Sequence, residues 1–280
     1  MLNLPTPIRL QEYGVGIFNA ALTKSALKKV LKKQYITVND VIATSATFIT
    51  GGENISLFIP EDVKPKKRLI FQLGVLFEDD YLAVIHKPAG ILVSGNSFKT
   101  IANALAQNIK RSHLPDATAP QPVHRLDYST TGILLVGKTS SSIRALNKMF
   151  ENKEIEKTYF AVTIGEMDDR GKITSEIDGK KSQSDYKLYQ SVASKRFGQL
   201  NLVQLKPQTG RIHQLRKHLF NIGNPILGDK AYGIENLVLN GKGLYLHAYS
   251  LKFIHPFTNE KIHLIDEFPQ RFTKIFMPTK

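Results

Sequence analysis

The segment PEDVKPKKR, Pro60 to Arg68, sets the first limit on the fold. It carries two prolines among charged residues. Proline supplies no backbone N–H, so neither a helix nor a sheet ladder continues easily through such a stretch, and it reads as a linker. The expected organisation is therefore a small module at residues 1–60, a linker at 61–68 and a larger domain at 69–280.

Within the first piece, Thr23 is placed to cap a helix, and Leu27, Val30 and Leu31 make one apolar stripe along it. Lys24, Lys28 and Lys32 recur at four-residue spacing on another face, which Lys29 and Lys33 widen. No acid interrupts that face. It is either a solvated surface or a face that tracks phosphates. The ITVND stretch reads as a strand and tight turn, and TFITGGENISLF as a second strand pair.

After the linker the strands lengthen. A strand is expected through Leu82–Ile85, then a Pro-Ala-Gly turn before Ile91–Val93, a helix over 99–111 and a loop over 112–121. Ile133–Val136 form a short apolar run typical of a buried strand, and His-Arg-Leu-Asp (124–127) stands just ahead of it. Thr139 or Ser140 caps a helix carrying Ile143, Leu146 and Phe150, and QSDYKLYQSV and GQLNLVQLKPQ alternate like paired antiparallel strands. Strands and helices in this order make the class α+β.

Charge limits the partners. Lys and Arg number 38 against 24 Asp and Glu, a formal net charge of +14. Such a chain usually meets a polyanion, nucleic acid before a membrane surface. There are no cysteines, which excludes disulfides and cysteine-ligated zinc. No apolar run of about 20 residues occurs and the start has no basic-then-apolar pattern, so neither a membrane span nor a signal peptide is expected.

A second cluster follows in QTGRIHQLRKHLFNIGNPILGD. Ile212, Leu215, Leu219 and Ile222 fit one helical face, and Gly223 with Pro225 stops the helix. Arg211 then falls in the first turn, where a cation opposes the helix dipole unless an anion answers it. Several chemistries lack their parts. His-Arg-Leu-Asp differs from a kinase catalytic loop by an inserted Leu, and there is no phosphate-binding GK[ST] loop. His213 and His218, five apart, do not share a helix face as zinc ligands would, and there is no G-x-S-x-G elbow. Asp127 remains, flanked by Arg125, in basic surroundings.

Five motifs in order resemble the RluA-type pseudouridine synthases. They are FEDDYLAVIHKPAG, HRLDYSTTGILLVGK, EKTYFAVTIG, GRIHQLRKHLFNIGNPILGDKAYG and LHAYSLKFIHPFTNEKI. The N-terminal piece resembles, more weakly, the S-four-type RNA-binding module often fused to such enzymes. The family's usual Asn before Lys-Pro-Ala-Gly is His86 here, and its Thr-Ser-Gly is Thr130-Thr131-Gly132.

The resemblance implies a mixed, largely antiparallel sheet with flanking helices and an active site in a basic cleft. It implies isomerisation of uridine to pseudouridine in structured RNA, ribosomal or transfer, without cofactor or metal. Asp127 would be the catalytic carboxylate and Arg211 the cation that keeps it ionised, with Arg216 a rival on the same helix. Tyr159 would lie against the flipped uracil and Arg125 would enter the vacated stack. His124 and Arg216 would join Lys24, Lys28 and Lys32 in binding RNA. Lys87, Pro88, Gly90, Gly228, Asp229 and Tyr232 read as structural. A cytoplasmic monomer is expected. The alternative is a non-catalytic RNA-binding or ribosome-assembly factor with the same fold, for which Asp127 would be dispensable.

Overall fold

The computed structural model describes residues 6–18, 20–21, 23–60, 69–239 and 241–276. The expected linker at 61–68 lies outside them. The chain divides into two compact units, Met1–Lys67 and Arg68–Lys280.

The first unit contains β1 (Ile8–Arg9), α1 (Leu10–Tyr13), α2 (Lys24–Lys32), β2 (Ile36–Val38), β3 (Val41–Ile42), β4 (Phe48–Ile49) and β5 (Ile55–Leu57). Thr23 caps α2, its hydroxyl accepting from the Ala26 N–H at 3.1 Å. Leu27 and Leu31 enter a core with Leu10, Ile36 and Ile49, so the lysines of α2 face outward. From its turn the chain returns as β3, antiparallel to β2, and the expected strand and tight turn of ITVND are present. The second expected strand pair is not. β4 pairs with β1 and β5 with β2, so both strands of TFITGGENISLF find partners distant in sequence.

In the second unit ten strands form one sheet. β6 (Gly74–Glu78), β7 (Leu82–Lys87), β8 (Ala117–Pro122), β9 (Thr131–Thr139) and β10 (Glu156–Ile164) come first, with α3 (Ile101–Asn108) and α4 (Ser140–Glu151) between them. β11 (Arg170–Ile177), β12 (Lys180–Ser194), β13 (Gly198–Pro207), α5 (Gln214–Asn221), β14 (Leu246–Ile254), β15 (Lys261–Ile265) and α6 (Gln270–Phe276) follow. The order is β11-β12-β13-β10-β14-β9-β7-β6, with β15 on β14 and β8 on β9. Every pairing is antiparallel except β14 with β9.

β9 is buried along its whole length. Alternation explains its unbroken apolar run. Leu134 and Val136 pack with Ile101, Ala104 and Leu105 of α3. Ile133 and Leu135 pack with Leu146 and Met149 of α4. Each such side chain contributes roughly 1.5–3 kcal/mol on full burial. Thr139 caps α4 in a reciprocal capping box with Ser142.

Two expectations change. Residues 117–121, read as the end of a loop over 112–121, belong to β8, which pairs with β9 across a register shift. The helix after the Pro-Gln-Thr-Gly turn begins at Gln214, so Arg211 and Ile212 precede it.

Candidate active site

The loop ahead of β9 presents Asp127, and the end of β7 holds that loop. Lys87 is fully buried. Its ammonium donates to the carbonyls of Pro88 at 2.9 Å, Thr130 at 2.8 Å and Tyr128 at 3.3 Å. Burial pushes the lysine down to about 8, opposed by the charge of Asp127. The Gly90 N–H donates to Tyr128 O at 2.8 Å. Next to the loop, Gly132 has φ +117°, and a Cβ there would overlap the Ala248 backbone. Only glycine lets β14 run beside β9 at this point.

Tyr159 reaches the same place from β10, whose register on β14 shifts between Thr158 and Tyr159. It packs against the two apolar clusters on its sides of the sheet. Burial, and then the negative charge of Asp127, raise its phenol above the ordinary value, so it stays protonated at neutral pH.

The cation facing Asp127 is Arg216, not Arg211. Arg216 Nη1 is 3.5 Å from Asp127 Oδ2. Arg211 is exposed and donates through Nε to Lys181 O at 3.3 Å. The reason is the helix start. The residues before Gln214 form a turn, which leaves Arg211 on the rim, whereas Arg216 rides the first turn of α5 inward. Arg216 is held from behind by Asp229, Nε to Oδ2 at 2.7 Å and Nη2 to Oδ1 at 2.8 Å. Burial opposes both charges of that pair, but the mutual hydrogen bonds prevail: Asp229 lies below its ordinary value and Arg216 above. The Ala231 and Tyr232 N–H groups complete the carboxylate's partners.

α5 is itself fixed by polar contacts. The Gln214 amide donates to Gln183 O and Ser184 Oγ, each at 2.9 Å, while its carbonyl accepts from Thr209 Oγ1 at 2.6 Å. His218 is buried between the hydroxyls of Ser182 and Ser184, at 2.7 and 3.0 Å.

His124 also lines the cleft. Its Nε2 accepts from the Leu135 N–H at 3.0 Å, and burial, with Lys157 nearby, pushes it down to about 3. It is a neutral brace for β9 at the cleft. Arg125, by contrast, is exposed. Lys24, Lys28 and Lys32 line a shallow groove on the first unit. Glu12, distant in sequence, pairs with Lys24 at 2.6 Å, an acid that the reading of the helix face alone did not supply.

Asp127, Tyr159, Arg216, Arg125 and Arg211 all line one cleft of about 790 Å³. A carboxylate beside a buried arginine, with a protonated phenol opposite, can act as nucleophile or base on a flat heterocycle. Among the described residues no group of His, Asp or Glu is arranged to hold a metal. Among the same residues no helix is long and apolar enough to cross a membrane.

A family model described as RNA pseudouridylate synthase matches residues 81–221. A ribosomal large subunit pseudouridine synthase C of Rickettsia felis is 31% identical over 99% of this chain and 98% of its own. An uncharacterized RNA pseudouridine synthase of Aquifex aeolicus is 30% identical over 91% and 88%. The solved structure of human RNA pseudouridylate synthase domain containing 4 superposes with a TM-score of 0.58 at 26% identity, over 71% of this chain and 90% of that one.

Proposed function

The chain belongs to the RNA pseudouridylate synthase family, and we propose that its second unit converts specific uridines of ribosomal RNA to pseudouridine, with Asp127 as the catalytic carboxylate. Ribosomal RNA is favoured over transfer RNA because the Rickettsia relative is named for the large ribosomal subunit. The bond from ribose C1′ to uracil N1 breaks, the base turns, and C1′ bonds to C5. C5 loses its proton and N1 gains one.

The observation that carries this reading is the Asp127–Arg216 contact at 3.5 Å inside the cleft. Arg216 sets a fixed positive charge beside the carboxylate that the reaction needs. A uridine in folded RNA must leave its stack, at a cost of a few kcal/mol. Exposed Arg125 fills the vacancy, and Tyr159 meets the uracil and relays the C5 proton. Arg211, on the rim, meets a phosphate. The first unit, an S-four-like module, adds phosphate contacts through Lys28 and Lys32.

The test is tritium release from a large-subunit ribosomal RNA transcript labelled at uridine C5, incubated with the purified chain. Release by the wild type and none by Asp127→Asn is expected. Equal release by both contradicts the assignment. No release by either contradicts the choice of RNA.

A further inference from the structure

One side chain in the cleft has no part in the reaction as just described. His213, the residue before α5, has φ 55° and ψ 24°. For a residue with a Cβ this left-handed conformation is strained. It sets Nε2 3.9 Å from Asp127 Oδ1. Nδ1 lies 3.0 Å from the Tyr232 hydroxyl, and the two rings meet edge to face at 5.7 Å.

Tyr232 is itself pinned. Its N–H donates to Asp229 Oδ1 at 3.1 Å, and the Arg216 guanidinium lies over its ring at 5.0 Å. Two linked pairs thus bracket Asp127: Arg216 with Asp229 on Oδ2, and His213 with Tyr232 on Oδ1. If the phenol donates to Nδ1, the imidazole proton sits on Nε2 and points at the carboxylate. The other tautomer would oppose a nitrogen lone pair to the carboxylate, so the first is preferred.

We propose that His213, its tautomer set by Tyr232, is a positioning residue for Asp127, turning the carboxylate by an Nε2–H directed at Oδ1. The inference rests on Asp127 being the reacting carboxylate. A neutral donor orients Asp127 without competing with Arg216 for its charge, which an imidazolium would do. The groups facing His213 are Asp127 from the loop, Arg216 and Lys217 from α5, and Asp229 and Tyr232 from the segment after α5. Burial lowers His213 most, with Arg216 and Lys217 acting the same way. Asp127 and Asp229 oppose them, and the net is a lowered value that leaves the ring neutral at pH 7. Protonation at acid pH draws Asp127 toward the imidazolium and slows the reaction.

The test is the single-turnover rate of tritium release from the same labelled transcript between pH 5 and 9. The variants are His213→Asn, Tyr232→Phe and Asp127→Asn. Asparagine tolerates the left-handed conformation and does not titrate. The inference expects His213→Asn to be about tenfold slower at pH 7.5, with RNA affinity and melting temperature kept and the acid-side fall in rate removed. Tyr232→Phe is slower by less, and its acid-side fall moves to another pH. An acid-side fall that persists unchanged in His213→Asn, while Asp127→Asn stays inactive, overturns this inference alone. Equal release by wild type and Asp127→Asn overturns the assignment of Asp127 and this inference with it.

Discussion

Arg216 Nη1 stands 3.5 Å from Asp127 Oδ2, and it does so while the rest of its guanidinium is locked to Asp229. Arg216 is therefore a preset partner. Its position does not depend on Asp127, so the carboxylate proposed to react can turn without losing its neighbour. A lysine could not serve in this way, since it lacks the planar fork that engages two carboxylates at once.

Removing that arginine has two separable effects. Arg216→Ala is expected to lower the single-turnover rate by at least about 100-fold. It also leaves Asp229 buried without its charge partner, at a cost of about 3–5 kcal/mol in urea denaturation. Arg216→Met with Asp229→Leu recovers much of that stability and none of the rate. Arg211→Ala instead weakens RNA affinity and changes the saturated rate by less than about tenfold. The reverse ranking of Arg211 and Arg216 in the saturated rate contradicts the assignment.

Lys87 makes stability depend on pH in a defined direction. Its folded value is about 8 against an ordinary 10.5. Between those values the unfolded chain binds more protons than the folded one, so stability contributed at this position rises with pH. Below pH 8 the full cost of burying the ammonium is present. Wild type compared with Lys87→Met is expected to gain roughly 3 kcal/mol between pH 8 and 10.5. Urea denaturation of both proteins at pH 7.5 and 10 measures it. A difference that stays flat or falls counts against the buried ammonium.

Gly132→Ala is expected to cost at least about 2–4 kcal/mol, because φ is positive and the new methyl meets the Ala248 backbone. Activity falls with it, since the same backbone carries the loop of Asp127. A melting temperature equal to wild type would mean that β9 and β14 do not approach as closely as described.

The helix of the first unit is tested by salt. Replacing Lys28 and Lys32 with Gln is expected to lower the slope of log affinity against log salt by about 1 per lysine. Lys24→Gln changes it less, because Glu12 already holds Lys24 at 2.6 Å. Fluorescence anisotropy of the full chain with a labelled ribosomal RNA fragment reads the slope. No change in the double variant removes this face from the RNA contact.

Elements whose pattern is local were legible in the sequence. The run Ile133–Val136, the cap at Thr139 and the lysine face of α2 each depend on neighbours a few residues away. Non-local pairing was not legible: β4 with β1, β5 with β2, and β8 on β9 despite Pro120 and Pro122. The choice of arginine failed for a related reason. An apolar stripe that includes Ile212 starts the helix too early, and nothing in a histidine announces the left-handed turn at His213 that delays it. Asp229 and Tyr232 resembled loop residues because their partners, Arg216 and His213, lie 13 and 19 positions away. Lys87 sat in a recognisable turn, but its burial depends on carbonyls over 40 residues later.

The proposed role of Asp127 is to make pseudouridine in cellular RNA. Site mapping of pseudouridine in ribosomal RNA tests it most directly, in cells lacking the gene and in the same cells complemented with wild type or Asp127→Asn. The account predicts that one or a few pseudouridines disappear and that only the wild type restores them. An unchanged map, or restoration by Asp127→Asn, contradicts it.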